Sequence, residues 1–340
     1  MKGAWRWILG IAVSVLLIWW VLRDVEIAEV AQQIATGNPW WFFGSVFVGT
    51  SGYFIRAMRW KIFLHPLKPD TALHSRWAGI SIGFMVTNLI PGRVGELARP
   101  YALGRLERLS FSGALGTLVV ERFLDTVVML SFLFIAVLSP GFPDSVALFS
   151  GDLGLLVRGA FVFMAILIVL LLAMLFFPEP VVRVTGRMAT RLPGRWRGRV
   201  VEALDSFLQA MRLFRSPVLL FKAVAWSYGF WLWHGLSFWM GFKAFGVDVG
   251  FSAAIFTEAV VAFAVAVPAA PGFFGTFQAG AALALIDVYG MPGPQTLAFA
   301  FGYHFGGFVP ITLFGLYYAW RLGFSLNDIN GKGGSSADAL

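Results

Sequence analysis

The stretch WAGISIGFMVTNLIPGRVGE (77–96) runs apolar to Ile90 and then breaks on Pro91-Gly92. A second stretch, AAIFTEAVVAFAVAVPAAPGFFGT (253–276), repeats the pattern, so Pro-Gly-x-x-Gly occurs at 91–95 and again at 271–275. Each break is followed by another apolar segment. Proline removes a helical donor and glycine costs backbone entropy, so a helix stops at such a pair. In hydrocarbon, a broken helix survives only where protein or a polar cavity covers the freed backbone groups. Matching breaks in two halves of one chain are the sequence mark of a transporter binding site.

The composition supports a membrane setting. Of 340 residues, 58% are hydrophobic and 13% charged, and the mean hydropathy is +0.76. A soluble domain carries about 25% charge. There are no cysteines, which excludes disulfides, thiolate nucleophiles and thiolate metal sites. The net charge of +8 fits basic cytoplasmic loops better than nucleic-acid binding, since no basic patch lies on a recognisable soluble fold. Lys2 and Arg6 precede an apolar run from Trp7 to Leu22, followed by Arg23-Asp24-Val25-Glu26 instead of a small-residue cleavage site. That run reads as a retained transmembrane helix.

Spans of about 20 apolar residues fall at 5–22, 39–58, 113–138, 155–177, 218–243 and 296–321, with shorter pieces at 77–90, 251–268 and 277–290. The region 178–217 holds Arg183, Arg187, Arg191, Arg195, Arg197, Arg199, Arg212 and Arg215 against three acids, and reads as a basic cytoplasmic connector. Its 200–214 stretch is either a helix lying on the membrane surface or a solvated connector. Net acidic 23–38 and 139–152 face outward; Arg56, Arg59, Lys61, Lys68 and Arg76 against Asp70 place 59–76 inside.

Aligned at this offset, 39–58 pairs with 218–243, 72–110 with 251–290, and 113–138 with 296–321, each pair in opposite orientation. The fold expected is an all-α integral membrane protein, a polytopic helical bundle of two inverted repeats, each with a re-entrant, broken-helix hairpin. Repeat one covers about 5–138 and repeat two about 155–322; together they form one membrane unit, 1–326, followed by a disordered cytoplasmic tail, 327–340. The first hairpin enters from the cytoplasm. The second either dips in from outside or makes two full crossings. Both termini are expected in the cytoplasm.

Ionisable residues concentrate in repeat one: Arg93, Glu96, Arg99, Glu121, Arg122 and Asp125. Intramembrane charges are functional candidates by default. Glu121 and Asp125 share a helix face, from which Arg122 projects about 100° away. Arg93 with Glu96, or Glu96 with Arg99, could pair at i,i+3. The six either pair to hold the hairpin down or also bind an anionic headgroup through planar guanidiniums. In repeat two, Glu258 is either a cation or proton site, or the partner of Arg93 or Arg122. Helix starts after Pro91-Gly92 and Pro271-Gly272 would offer backbone N–H groups to a phosphate. Tyr303 and His304 sit opposite the repeat position of Glu121 and are site candidates; His234 reads as a packing residue, and His65 and His74 as solvated. No Asp-x-Asp, His-Glu-x-x-His or phosphate loop is present. An enzyme is not expected, nor a cofactor or metal.

The run NLIPGRVGELARPYALGRLERLSFSGALGTLVVERFLD (88–125), with TEAVVAFAVAVPAAPGFFGTFQ (257–278), resembles the flippase-like membrane family. Its best-known member is the transmembrane half of bacterial lysylphosphatidylglycerol synthetase. The resemblance implies a multi-pass lipid translocator of the bacterial cytoplasmic membrane, acting on an anionic, aminoacylated or polyprenyl-linked lipid. It also implies site roles for Asn88, Arg93, Glu96, Arg99, Glu121, Arg122, Asp125, Glu258 and Gln278, with breaks at Pro91, Gly92, Gly95, Pro268, Pro271, Gly272 and Gly275. The sequence departs from the family at PGFFGTFQ, which lacks a further Gly and an acidic residue near Gln278, and a fused aminoacyl-transferase domain is not expected. Alternatives are an ion-coupled small-solute transporter and a non-transporting accessory subunit of a lipid-modifying synthase. A homo-oligomer is also open.

Overall fold

The computed structural model describes residues 4–90, 94–143, 210–267 and 270–324, with isolated positions at 159, 162, 166 and 169. The breaks at Pro91, Gly92 and Pro268, the side chain of Arg93, nearly all of span 155–177, the 178–209 part of the basic connector and the tail from 325 lie outside the described residues.

Within them the protein is helical and carries no strand. The helices are α1 (Ala4–Leu22), α2 (Ile27–Thr36), α3 (Pro39–Leu64), α4 (Leu73–Leu89), α5 (Gly95–Glu107) and α6 (Phe111–Val137). They continue as α7 (Pro217–Ala244), α8 (Phe251–Ala264), α9 (Thr276–Ala282, running on as a π turn at Leu283–Val288) and α10 (Gly293–Arg321). Local chemistry sets several starts. Asn38 accepts from the N–H groups of Trp40 and Trp41 with Pro39 at the first helical position. Ser110 and Ser216 cap α6 and α7 in the same way.

Helices α3, α6, α7 and α10 hold 26 to 29 residues. At 1.5 Å per residue each reaches about 40 Å, enough to cross a hydrocarbon core of about 30 Å. Among the described residues Gly293–Arg321 alone is both long and apolar enough to span by those two criteria. Helices α3 and α6 are as long but bury ionisable side chains. Two sequence boundaries are corrected. The acidic 23–38 stretch, read as a loop, contains α2. The loop expected at 59–76 is largely helix: α3 runs to Leu64 and α4 begins at Leu73, because Trp60, Phe63 and Leu64 are fully buried and favour another turn.

The bundle centres on α3 against α7. Around that pair, α4 packs on α3, α5 and α10, while α8 packs on α7, α9 and α6. Helix α5 also touches α6, and α9 touches α10. The segments on either side of each Pro-Gly pair therefore pack on one another, α4 on α5 and α8 on α9. The arms of the first meet where Gly95 crosses α4: a Cβ there would overlap the Gly83 carbonyl and the Thr87 side chain. Gly95→Ala should destabilise the fold by about 1–3 kcal/mol through overpacking, read as an earlier thermal transition in detergent.

Between α8 and α9 the described residues form turns and one 3-10 turn at Pro271–Phe273, with Gly272 at φ +67°, Phe273 at +64° and Gly275 at +91°. Gly275 also has no room for a side chain, since a Cβ would lie 2.8 Å from the Ser14 carbonyl. Ser14 of α1 pins this segment: its hydroxyl donates to the Phe274 carbonyl at 2.6 Å and accepts from the Ala270 N–H at 2.8 Å. Thr276 donates to the Phe273 carbonyl. Ser14→Ala leaves one donor and one acceptor unsatisfied and should cost about 1–3 kcal/mol locally. Hydrogen exchange at Ala270 and its neighbours should accelerate while the rest of the bundle stays protected.

The end of α4 touches Pro271–Phe273, with the Asn88 carbonyl 3.4 Å from where a Cβ on Gly272 would sit. One arm of the first hairpin thus ends on the break of the second.

Candidate functional site

A cavity of about 380 Å³ opens between the two hairpins and the central α3–α7 pair. Arg56, Asn88, Glu96, Arg99, Arg122, Asp125, His234, Glu258, Tyr303 and His304 all line it. Glu121 and Gln278 lie behind the wall, buried.

One side is an ion cluster built from three helices. Helix α3 supplies Arg56 and Arg59, one turn apart; α5 supplies Arg99; α6 supplies Glu121 and Asp125 from one face. All five are at most 4% exposed. Arg99 donates from both terminal nitrogens to Glu121, at 3.0 and 2.7 Å, and lies 4.0 Å over the Trp60 ring. Arg59 donates to Asp125 Oδ1 at 2.7 Å and to the Ser227 hydroxyl at 3.1 Å, and sits 3.1 Å from Glu121 Oε1. Trp231 Nε1 donates to the same Asp125 oxygen at 2.9 Å. Arg59, Arg99, Glu121 and Asp125 are charge-paired, as buried ions must be, although Arg59 Nε and Nη2, Arg99 Nε and Asp125 Oδ2 make no hydrogen bond among the described residues.

Arg56 differs. Its nearest carboxylate oxygens are Asp125 Oδ2 at 3.5 Å and Glu121 Oε1 at 3.7 Å, both beyond a good hydrogen bond. Among the described residues its guanidinium makes no hydrogen bond. It is held instead between aromatic faces, 4.7 Å from Phe230, 5.5 Å from Phe84 and 5.6 Å from Trp231. Arg122 is 39% exposed and loosely placed, 3.6 Å from Asp125 and 3.9 Å from Glu96. In this cluster Arg56, Arg59 and Arg99 face only Glu121 and Asp125, a surplus of one buried cation before Arg122 and Glu96 offset each other.

The opposite side is sparser. Glu258 Oε1 sits 2.7 Å from His234 Nδ1. Ser237 donates to the Ser45 carbonyl and receives the Tyr303 hydroxyl at 2.9 Å. Gln278 is 3.2 Å from His304 Nδ1 and accepts from the Gly275 N–H, closing the start of α9. His304 stacks on Phe277 at 4.5 Å. Asn88 donates to the Thr312 hydroxyl at 2.8 Å, tying α4 to α10.

Several sequence readings are corrected. Arg56 and Arg59, taken as loop charges, are buried at the centre; only their i,i+3 spacing inside an unbroken apolar pattern could have signalled it. Arg76, taken the same way, is buried and donates to the Ala57 and Met58 carbonyls. Arg99 pairs with Glu121 on α6 instead of locally with Glu96. Glu258 is held by His234, not Arg122, so His234 is more than packing. His74, read as solvated, is exposed at the start of α4 but stacks edge-on against Tyr318 at 5.2 Å.

A helical bundle with long spans, two interrupted hairpins and a charged interior defines an all-α integral membrane protein. Residues 7–315 match the family described as the lysylphosphatidylglycerol synthase TM region, and the chain belongs to that family. It is similar to a UPF0104 membrane protein of Methanothermobacter thermautotrophicus, 23% identical over 73% of this chain and 74% of the relative. Two UPF0104 membrane proteins of Methanocaldococcus jannaschii also match. One is 25% identical over 35% of this chain and 36% of its own, the other 23% over 57% and 75%. No solved structure matches.

Proposed function

We propose that the protein is a lipid translocator of the bacterial cytoplasmic membrane, a transporter and not an enzyme, with both termini in the cytoplasm. It would carry the headgroup of an anionic or aminoacylated phospholipid, or of a polyprenyl-linked lipid, through the cavity while the acyl chains stay in lipid. The observation that carries this reading is Arg56: a guanidinium facing the cavity with unspent donors, inside a cluster holding one more cation than anion. A phosphate would supply the missing charge and accept a bidentate pair. Arg122, half exposed, is the second contact. Arg59 and Arg99 hold the carboxylates that keep Arg56 in place.

In this reading the two halves form an inverted repeat. Exchanging α3 with α7, α4 with α8, α5 with α9 and α6 with α10 turns each packing contact of one half into one of the other: α4–α10 becomes α8–α6, and α5–α6 becomes α9–α10. Hairpins entering from opposite faces would meet at the cavity, and rocking of the repeats would alternate access.

The test is reconstitution in liposomes with headgroup-labelled lipids, following leaflet exchange by quencher access. Exchange of an anionic or aminoacyl lipid above protein-free liposomes is expected. No exchange with any such lipid, alongside uptake of a water-soluble anion, would replace this reading with a solute transporter.

A further inference from the structure

On the wall opposite the arginines, the Glu258–His234 pair has no part in holding them. Glu258 is 2% exposed, and its Oε1 is spent on His234. Its other oxygen, Oε2, is buried and has no hydrogen-bond partner among the described residues. It lies against Gly235, where a Cβ would stand 3.1 Å away, so this position of α7 presents no side chain to it. A carboxylate oxygen left bare in an apolar wall is costly as an ion, and a proton on it removes that cost. His234, about a quarter exposed, lines the cavity, so a route for protons runs along its ring.

The neighbouring charges do not replace this partner. The helices packed on α8 carry Glu121, Arg122 and Asp125 on α6, Lys222, Tyr228, His234 and Lys243 on α7, and Asp287 at the end of α9. Arg56, Tyr303 and His304 line the same cavity. Of all these, His234 alone lies within ion-pair distance of Glu258 among the described residues. A physical link to the arginine side exists nonetheless: Trp231 donates to Asp125 and packs edge-on against His234 at 5.9 Å.

We propose that Glu258 with His234 is a proton-binding site that couples headgroup passage to proton movement. The proton is taken from water on one side onto Glu258 Oε2, giving a neutral acid with His234 still on Oε1, and is released to water on the other side after the cavity reopens. No other bond is made or broken. This inference rests on the translocator reading above, and the two fail differently.

The experiment uses proteoliposomes of wild-type protein with a tracer anionic phospholipid, a pH gradient of one unit, and the membrane potential clamped with potassium and valinomycin. One proton per lipid predicts about a tenfold steady-state asymmetry of tracer between leaflets, since one pH unit is a tenfold ratio. In Glu258→Gln and His234→Gln the ratio should collapse to about one, whatever their basal exchange rate. A protonated-carboxyl infrared band that titrates with pH in wild-type protein and is absent from Glu258→Gln is also expected, and it can be read even in a variant that moves no lipid. Lipid exchange indifferent to the gradient in wild type sinks the coupling and leaves the translocator intact. A gradient response that survives in Glu258→Gln, or an infrared band unchanged by it, also overturns the proposal. Absence of exchange in wild type sinks both.

Discussion

Arg56→Met should abolish most lipid exchange, by about 10- to 100-fold, while leaving the folded protein as stable as wild type or more so. The rate loss follows from removing one charge-assisted phosphate contact, worth about 1.5–3 kcal/mol. The stability argument is a count. Without Arg56, Arg59 and Arg99 still face Glu121 and Asp125, so no buried ion loses its only partner. Arg56 contributes no hydrogen bond among the described residues, and methionine fills the same slot between Phe84, Phe230 and Trp231. Replacing a buried charge by an apolar side chain of similar volume is often neutral or stabilising. Thermal unfolding and liposome exchange, measured on the same preparation, check both halves. A large loss of melting temperature would show Arg56 to be a structural member of the cluster and would remove the main support for the phosphate reading.

Glu121→Gln should do the reverse and fail as a folded protein. The Glu121 carboxylate accepts both terminal nitrogens of Arg99, lies 3.1 Å from Arg59 and faces Arg56 at 3.7 Å, at 0% exposure. The amide keeps the shape but removes the charge, leaving three buried arginines against Asp125 alone. Breaking a buried ion pair this way costs about 3–5 kcal/mol, a large part of the stability of an ordinary domain. Poor recovery from detergent and a strongly lowered thermal transition are expected. Combining it with Arg56→Met should recover part of the loss, because the double variant carries one surplus cation instead of two. Recovery no better than the single variant would show that charge balance does not govern this cluster.

Much of the architecture was legible because hydrophobic runs and helix breakers are local signals. The spans at 39–58, 113–138, 218–243 and 296–321 each correspond to a helix, and the segments on either side of both Pro-Gly pairs are helices that pack on each other. The Glu121–Asp125 face was legible too, since i,i+4 spacing fixes which side chains project together. What failed were charges near span ends. Arg56 and Arg59 were read by the rule that basic residues collect in cytoplasmic loops, and the rule cannot tell a loop from an extra turn of helix that buries its arginines. Arg122, one of the two arginines expected to partner Glu258, sits on Asp125 and Glu96 instead, while the fold brings a histidine from the adjacent helix to Glu258; the other, Arg93, lies outside the described residues.

The sequence by itself determined that this chain is a helical membrane protein with two interrupted segments and acids spaced along one helix face. Such features depend on neighbours a few positions apart. Only the tertiary structure decided how the buried arginines pair, and that Glu258 Oε2 and Asp125 Oδ2 make no hydrogen bond among the described residues. Those outcomes depend on distances between side chains 22 to 66 positions apart, set by how α3, α5, α6, α7 and α8 pack, and no local pattern carries them.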